Sequence, residues 1–90
     1  MSMASKLRII QLLARGNEVV EIIGSLYERA NVLVEQAEGE EDVMNKAMYL
    51  AMYHQVMGIV AELQEKKRGY YAAADLLQEE LDDEADDDEA

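Results

Sequence analysis

The chain has no cysteine, no proline, no tryptophan and no phenylalanine among its 90 residues. The lack of cysteine excludes a disulfide framework and a thiolate metal site. Small secreted domains usually depend on such cross-links, so the expected setting is intracellular and cytoplasmic. With no proline and only five glycines, little interrupts a helix, which argues against a turn-rich β architecture. The longest strictly apolar run is far too short to span a bilayer, so no membrane partner is expected. Basic residues are also scarce, at eight against twenty acids. Direct nucleic-acid binding, which depends on lysine and arginine, is therefore not expected.

Hydrophobic residues nevertheless make up 50% of the chain, enough for one core in a domain near the lower size limit. The charge is unevenly spread. Residues 79–89 (EELDDEADDDE) hold nine of the twenty acids, leaving eleven acids against eight bases in the rest, a net of −3. A nearly neutral helical body over residues 1–78 is thus followed by a polyanionic segment, 79–90. That segment has too few apolar residues to repay its ordering entropy and is expected to be disordered when free.

The expected fold is all-α: a three- or four-helix bundle built on a long antiparallel helical hairpin. A first helix is expected over 5–15, with Leu7, Ile10, Leu13 and Ala14 buried and Arg15-Gly16 as its stop. Asn17 would cap a second helix over 18–37, in which Val19, Ile23, Leu26, Ala30, Leu33 and Ala37 alternate spacings of four and three. Val20, Tyr27 and Val34 widen that face at seven-residue intervals. Glu38-Gly39-Glu40 is a compact break, and a short loop between long helices implies antiparallel neighbours. The third helix, over 41–68, is apolar on almost every side. Tyr49, Tyr53, Val56, Val60 and Leu63 form one seam, Met48, Met52 and Ile59 run beside it, and Val43, Ala47, Leu50, Met57 and Ala61 line a third strip. Such a helix is normally buried, so either the chain wraps it or one face is left for a partner. Lys66, Lys67 and Arg68 before Gly69 repeat the stop signal. A fourth helix over 70–81 follows, with Tyr70, Ala73, Ala74, Leu77 and Leu81 on one face. Continuation through Gly69 is the alternative, at about 1 kcal/mol.

The search for chemistry finds little. His54, the single histidine, lies among apolar residues without a metal-binding neighbour pattern. No phosphate-cradling glycine loop is present, and Glu18, Glu21, Glu28 and Glu35 form a solvated face. No catalytic residue, cofactor or metal is expected, and the chain is read as a non-enzyme. The methionines Met44, Met48, Met52 and Met57 read first as filling an irregular core and second as an adaptable surface.

The leading functional expectation is a small non-enzymatic interaction module with two contact elements, an inhibitor in its sharpest form. One is the apolar face of Met48, Tyr49, Met52, Tyr53, Val56 and Val60, since tyrosine favours interfaces. The other is the acidic segment Glu79, Glu80, Asp82, Asp83, Glu84, Asp86, Asp87, Asp88 and Glu89, which would engage a protein partner with a basic surface by mimicking a nucleic-acid backbone. The small, acidic, cysteine-free make-up would suit a phage-encoded inhibitor. The first alternative is a self-associating, homo-oligomeric structural or assembly protein. A second is a DNA-binding regulator, because residues 12–33 (LLARGNEVVEIIGSLYERANVL) weakly resemble the helix-turn-helix of response regulators. Ile23 departs from that motif's small residue, and Glu28 and Glu35 suit DNA poorly. Residues 1–17, with Lys6, Arg8 and Arg15 and no acid, also resemble a mitochondrial transit peptide. An ordinary first helix accounts for them better.

Overall fold

The computed structural model describes residues 3–89, and the side chains of residues 3–83. Two helices account for almost all of it: α1, Met3–Gly39, and α2, Val43–Glu89. They lie antiparallel along each other in a rod of 72 × 14 × 14 Å. The expected all-α class and the hairpin are therefore present. Four helices are not, because the two outer breaks do not exist.

The seam explains why. On α1 the buried positions are Ile9, Leu12, Gly16, Val19, Ile23, Ala30, Leu33 and Ala37, with Leu26 half-buried between them. These positions alternate spacings of three and four from one end of the helix to the other. That is the a and d pattern of a heptad, abcdefg. On α2 the same pattern runs Tyr49, Tyr53, Val56, Val60, Leu63, Lys67, Tyr70, Ala74, Leu77 and Leu81, all buried or half-buried. Neither glycine interrupts it. Gly16 occupies an a position of α1, and no glycine has a positive φ, so the left-handed turn that a glycine stop needs is absent. Gly69 lies on the exposed outer side, where α2 continues through it. Lys67 masked that continuity in the sequence. It sits half-buried in the seam, where a lysine stem can lie along apolar surface with its charge in water.

Three consecutive clusters fill the seam. Ile9 and Leu12 meet Ala74 and Leu81 at one end. Val19 and Ile23 meet Val60 in the middle, and Ala30 and Leu33 meet Val56 towards the loop. The small residues Gly16, Ala30, Ala37 and Ala74 alternate with the larger ones and let the backbones approach. At Gly16 the ring of Tyr71 lies directly against α1, since a Cβ there would stand 2.5 Å from its Cε1.

The loop forms as the sequence implies, with a different cap from the one a glycine would give. Glu40 N–H donates to the carbonyl of Ala37 at 3.3 Å. Asp42 then caps α2: its Oδ1 accepts from the backbone N–H of Met44 at 2.8 Å and of Asn45 at 3.1 Å. These are two of the donors that a helix start leaves unpaired.

Three further expectations change. Asn17 is no helix cap; it lies inside α1, and its Oδ1 accepts a 2.7 Å hydrogen bond from the Tyr71 hydroxyl. Residues 12–33 form one uninterrupted stretch of α1, so the turn between two helices that a helix-turn-helix requires is missing. The segment expected to be disordered continues α2 as far as Glu89, while Ala90 lies outside the described residues.

Candidate interaction surfaces

The expected apolar face divides between two destinations. Val56 and Val60 are buried, and Tyr49 and Tyr53 are half-buried in the seam against α1. These four residues hold the hairpin together and are covered by the chain itself. Met48 and Met52 remain exposed, at 60% and 36%. Met44 is exposed too, so the methionines do not fill a core. Of Met44, Met48, Met52 and Met57, the last alone contributes to the packing, as a half-buried neighbour of the middle clusters.

What the seam leaves uncovered is organised. In an antiparallel pair, the e positions of both helices lie on one side of the seam and the g positions on the other. Along the seam the e positions of α1 are Lys6, Leu13, Val20, Tyr27 and Val34; those of α2 are Val43, Leu50, Met57, Gln64, Tyr71 and Gln78. Two contacts confirm that these strips share a side. Tyr71 reaches over Gly16 to Asn17, and Tyr27 borders a shallow hollow of about 330 Å³ with Met57, Ala61 and Gln64, rimmed by the Glu65–Arg68 pair. From Leu13 to Val34 and from Val43 to Tyr71, neither e strip carries a charge. Leu13, Val20, Tyr27 and Leu50 are 39–45% exposed, an apolar band along much of the rod.

The g side is different in kind. Arg8, Arg15 and Arg29 on α1 and Lys66 on α2 punctuate Ile22, Met52 and Ile59, making a mixed basic and apolar strip. The Arg68 guanidinium, on the opposite rim, pairs with Glu65 on the same helix. Both partners are largely exposed, so the pair contributes little to stability.

The acidic segment begins at the end of the strips, with Glu80 in the g register. Glu79, Glu80, Asp82 and Asp83 are exposed, and Gln78 donates to Asp82 at 3.2 Å. The side chains of Glu84, Asp86, Asp87, Asp88 and Glu89 lie outside those described. Leu81, at 5% exposure, is part of the seam and packs with Ile9 and Leu12. The acidic run therefore begins while α2 is still anchored to α1.

His54 is exposed, its ring edge-on to Tyr53 at 5.3 Å between centroids. Among the described residues no three metal-ligating side chains converge, and no helix is long and apolar enough to cross a membrane. No protein-family model, curated protein or solved structure matches the chain.

The e strips are the element that sequence reasoning missed. Their signal was present in the seven-residue spacing of Val20, Tyr27 and Val34, and in the strip containing Leu50 and Met57. Which side of which neighbour these strips share depends on the antiparallel register.

Proposed function

We propose that this chain is a non-enzymatic interaction module in which a helical hairpin presents a rod of negative charge to a basic protein surface. The observation that carries this reading is the helical backbone of residues 79–89. At a rise of about 1.5 Å per residue, nine acids fall within about 16 Å of axis, one per roughly 1.8 Å. Duplex DNA carries one charge per about 1.7 Å. A helix of this density matches the linear charge of the polymer that lysine- and arginine-rich grooves are built to hold. It would compete for such a groove by the same counterion release. The hairpin contributes rigidity, because Leu81 fixes the root of the charged segment to α1. That anchoring reduces the ordering cost of binding relative to a free acidic peptide.

The test is a capture experiment with the full chain and with a variant carrying Glu→Gln and Asp→Asn throughout 79–89. Substitution is preferable to ending the chain at Gln78, which would also remove the buried Leu81. The reading expects basic, nucleic-acid-binding proteins on the wild-type chain alone, released by salt and displaced by added duplex DNA. Capture that survives neutralisation of the segment would refute it.

A further inference from the structure

We infer that the uncharged e side of the hairpin is covered by a second copy of the same chain, the two hairpins forming an antiparallel four-helix bundle.

The first argument is area. The chain exposes 6685 Å², whereas a compact monomer of 10.2 kDa exposes about 5,300 Å². Part of this excess of roughly 1,400 Å² belongs to the end of α2 that runs past Leu81; the part on the e side includes Leu13, Val20, Tyr27 and Leu50, each 39–45% exposed, and a standard-sized interface takes about 800 Å² from each partner. The second argument is pattern. A two-helix seam needs apolar residues at a and d alone, and helices that bury a, d and e belong to bundles. Here e is uncharged on both helices from Leu13 to Val34 and from Val43 to Tyr71, and apolar at each of these positions except Gln64, in the same seven-residue register as the seam. What covers it should therefore be helical, of similar length and uncharged along the strip, apart from the Glu65–Arg68 pair that rims the hollow. The e side of a second copy meets each of these conditions.

The third argument is symmetry. Along the rod, the e positions from Leu13 to Val34 centre between Val20 and Tyr27, and those from Leu50 to Tyr71 centre at Val60 and Ala61, which line the shallow hollow. A twofold axis through this point makes the contact self-complementary, as a closed dimer requires. It also sets Tyr27 of each copy beside the hollow of the other, and exposed tyrosine next to a recess is a common interface anchor. With the axis across the rod, the two loops lie at opposite ends. The two nine-acid segments are then held apart; with the loops together they would lie side by side and repel. The g side is a poorer candidate, because the same axis would bring Arg15 of each copy towards Arg29 of the other.

This inference uses residues separate from the acidic segment, so either reading can fail alone. The test is sedimentation equilibrium on the full chain across a range of concentrations. The expected mass is twice 10.2 kDa. Tyr27→Glu combined with Met57→Glu should weaken the dimer at least 100-fold, whereas Val32→Glu and Leu76→Glu, on the outer sides, should leave the mass unchanged. Because a charged variant could lose its fold, spin labels give an independent measurement, aided by the absence of any native cysteine. Labels at Ala61→Cys should lie within about 20 Å of each other, two helix diameters. Labels at Ala72→Cys should be about 35 Å apart, from their displacement along the rod. A monomer at all concentrations, a larger assembly, or Ala72 labels closer than Ala61 labels would overturn the inference.

Discussion

Substituting the glycines separates a continuous helix from a broken one with a single methyl group. At Gly69 an added Cβ would meet nothing within 4 Å, and the backbone has no positive φ. Glycine in a helix interior costs about 1 kcal/mol relative to alanine, because the unfolded chain loses more freedom. Gly69→Ala should therefore stabilise the protein by about 1 kcal/mol. For a chain of this size that corresponds to a rise in Tm of about 4–8 °C. Gly58→Ala meets equally open space and should give a similar gain, additive with the first because the sites share no neighbour. Gly16→Ala should behave differently. Its Cβ would stand 2.5 Å from Cε1 and 2.9 Å from Cζ of Tyr71, so the ring must move and its hydrogen bond to Asn17 is lost. A loss of about 0.5–1.5 kcal/mol for that bond offsets the helix gain, and the net change should be near zero or destabilising. Thermal denaturation followed by circular dichroism at 222 nm, at one fixed protein concentration, measures all three. A fall in Tm for Gly69→Ala would mean that this residue turns left-handed, and the single 47-residue helix would be refuted.

Other perturbations probe separate parts of the rod. Asp42→Ala removes the acceptor for two backbone N–H groups and should cost about 1 kcal/mol in denaturant unfolding, while Asp42→Asn retains most of it. Leu33→Ala, at a site 4% exposed, should cost about 2 kcal/mol, the lower end for core leucines, since a two-helix seam can partly close over the gap; no change would place Leu33 outside the seam. Added sodium chloride should raise the Tm by screening the repulsion among the nine acids of 79–89. Converting those acids to amides should flatten this salt dependence, and an unaltered slope would count against the acids as its source.

The sequence by itself determined the all-helical class, the turn at residues 38–42 and the middle of the seam; the face of Leu7, Ile10, Leu13 and Ala14 expected to be buried is exposed, and Ile9, Leu12 and Gly16 are buried in its place. Alternating spacings of three and four from Val19 to Ala37 and from Tyr49 to Leu63 reflect the helical period, which is a local property. The acids and glycine at residues 38–42 are local turn and cap chemistry. The helix ends were misread where a local signal competed with a distant contact. Arg15-Gly16-Asn17 carries every mark of a stop and a new cap. Only the ring of Tyr71, brought alongside by the hairpin, shows that Gly16 is small because α2 lies against it and that Asn17 is a hydrogen-bond acceptor. Lys66-Lys67-Arg68-Gly69 misleads for a related reason, since Lys67 occupies a seam position and hides the repeat that links Leu63 to Tyr70.

The candidate surface divides the same way. The apolar strips can be read from the sequence, but their assignment cannot, because Tyr49, Tyr53, Val56 and Val60 look as available as Leu50 and Met57 until α1 is placed. Burial depends on which faces meet, and that was decided by the antiparallel register of the two helices. The register covers the first set with α1 and leaves the second on one open side with Leu13, Val20 and Tyr27.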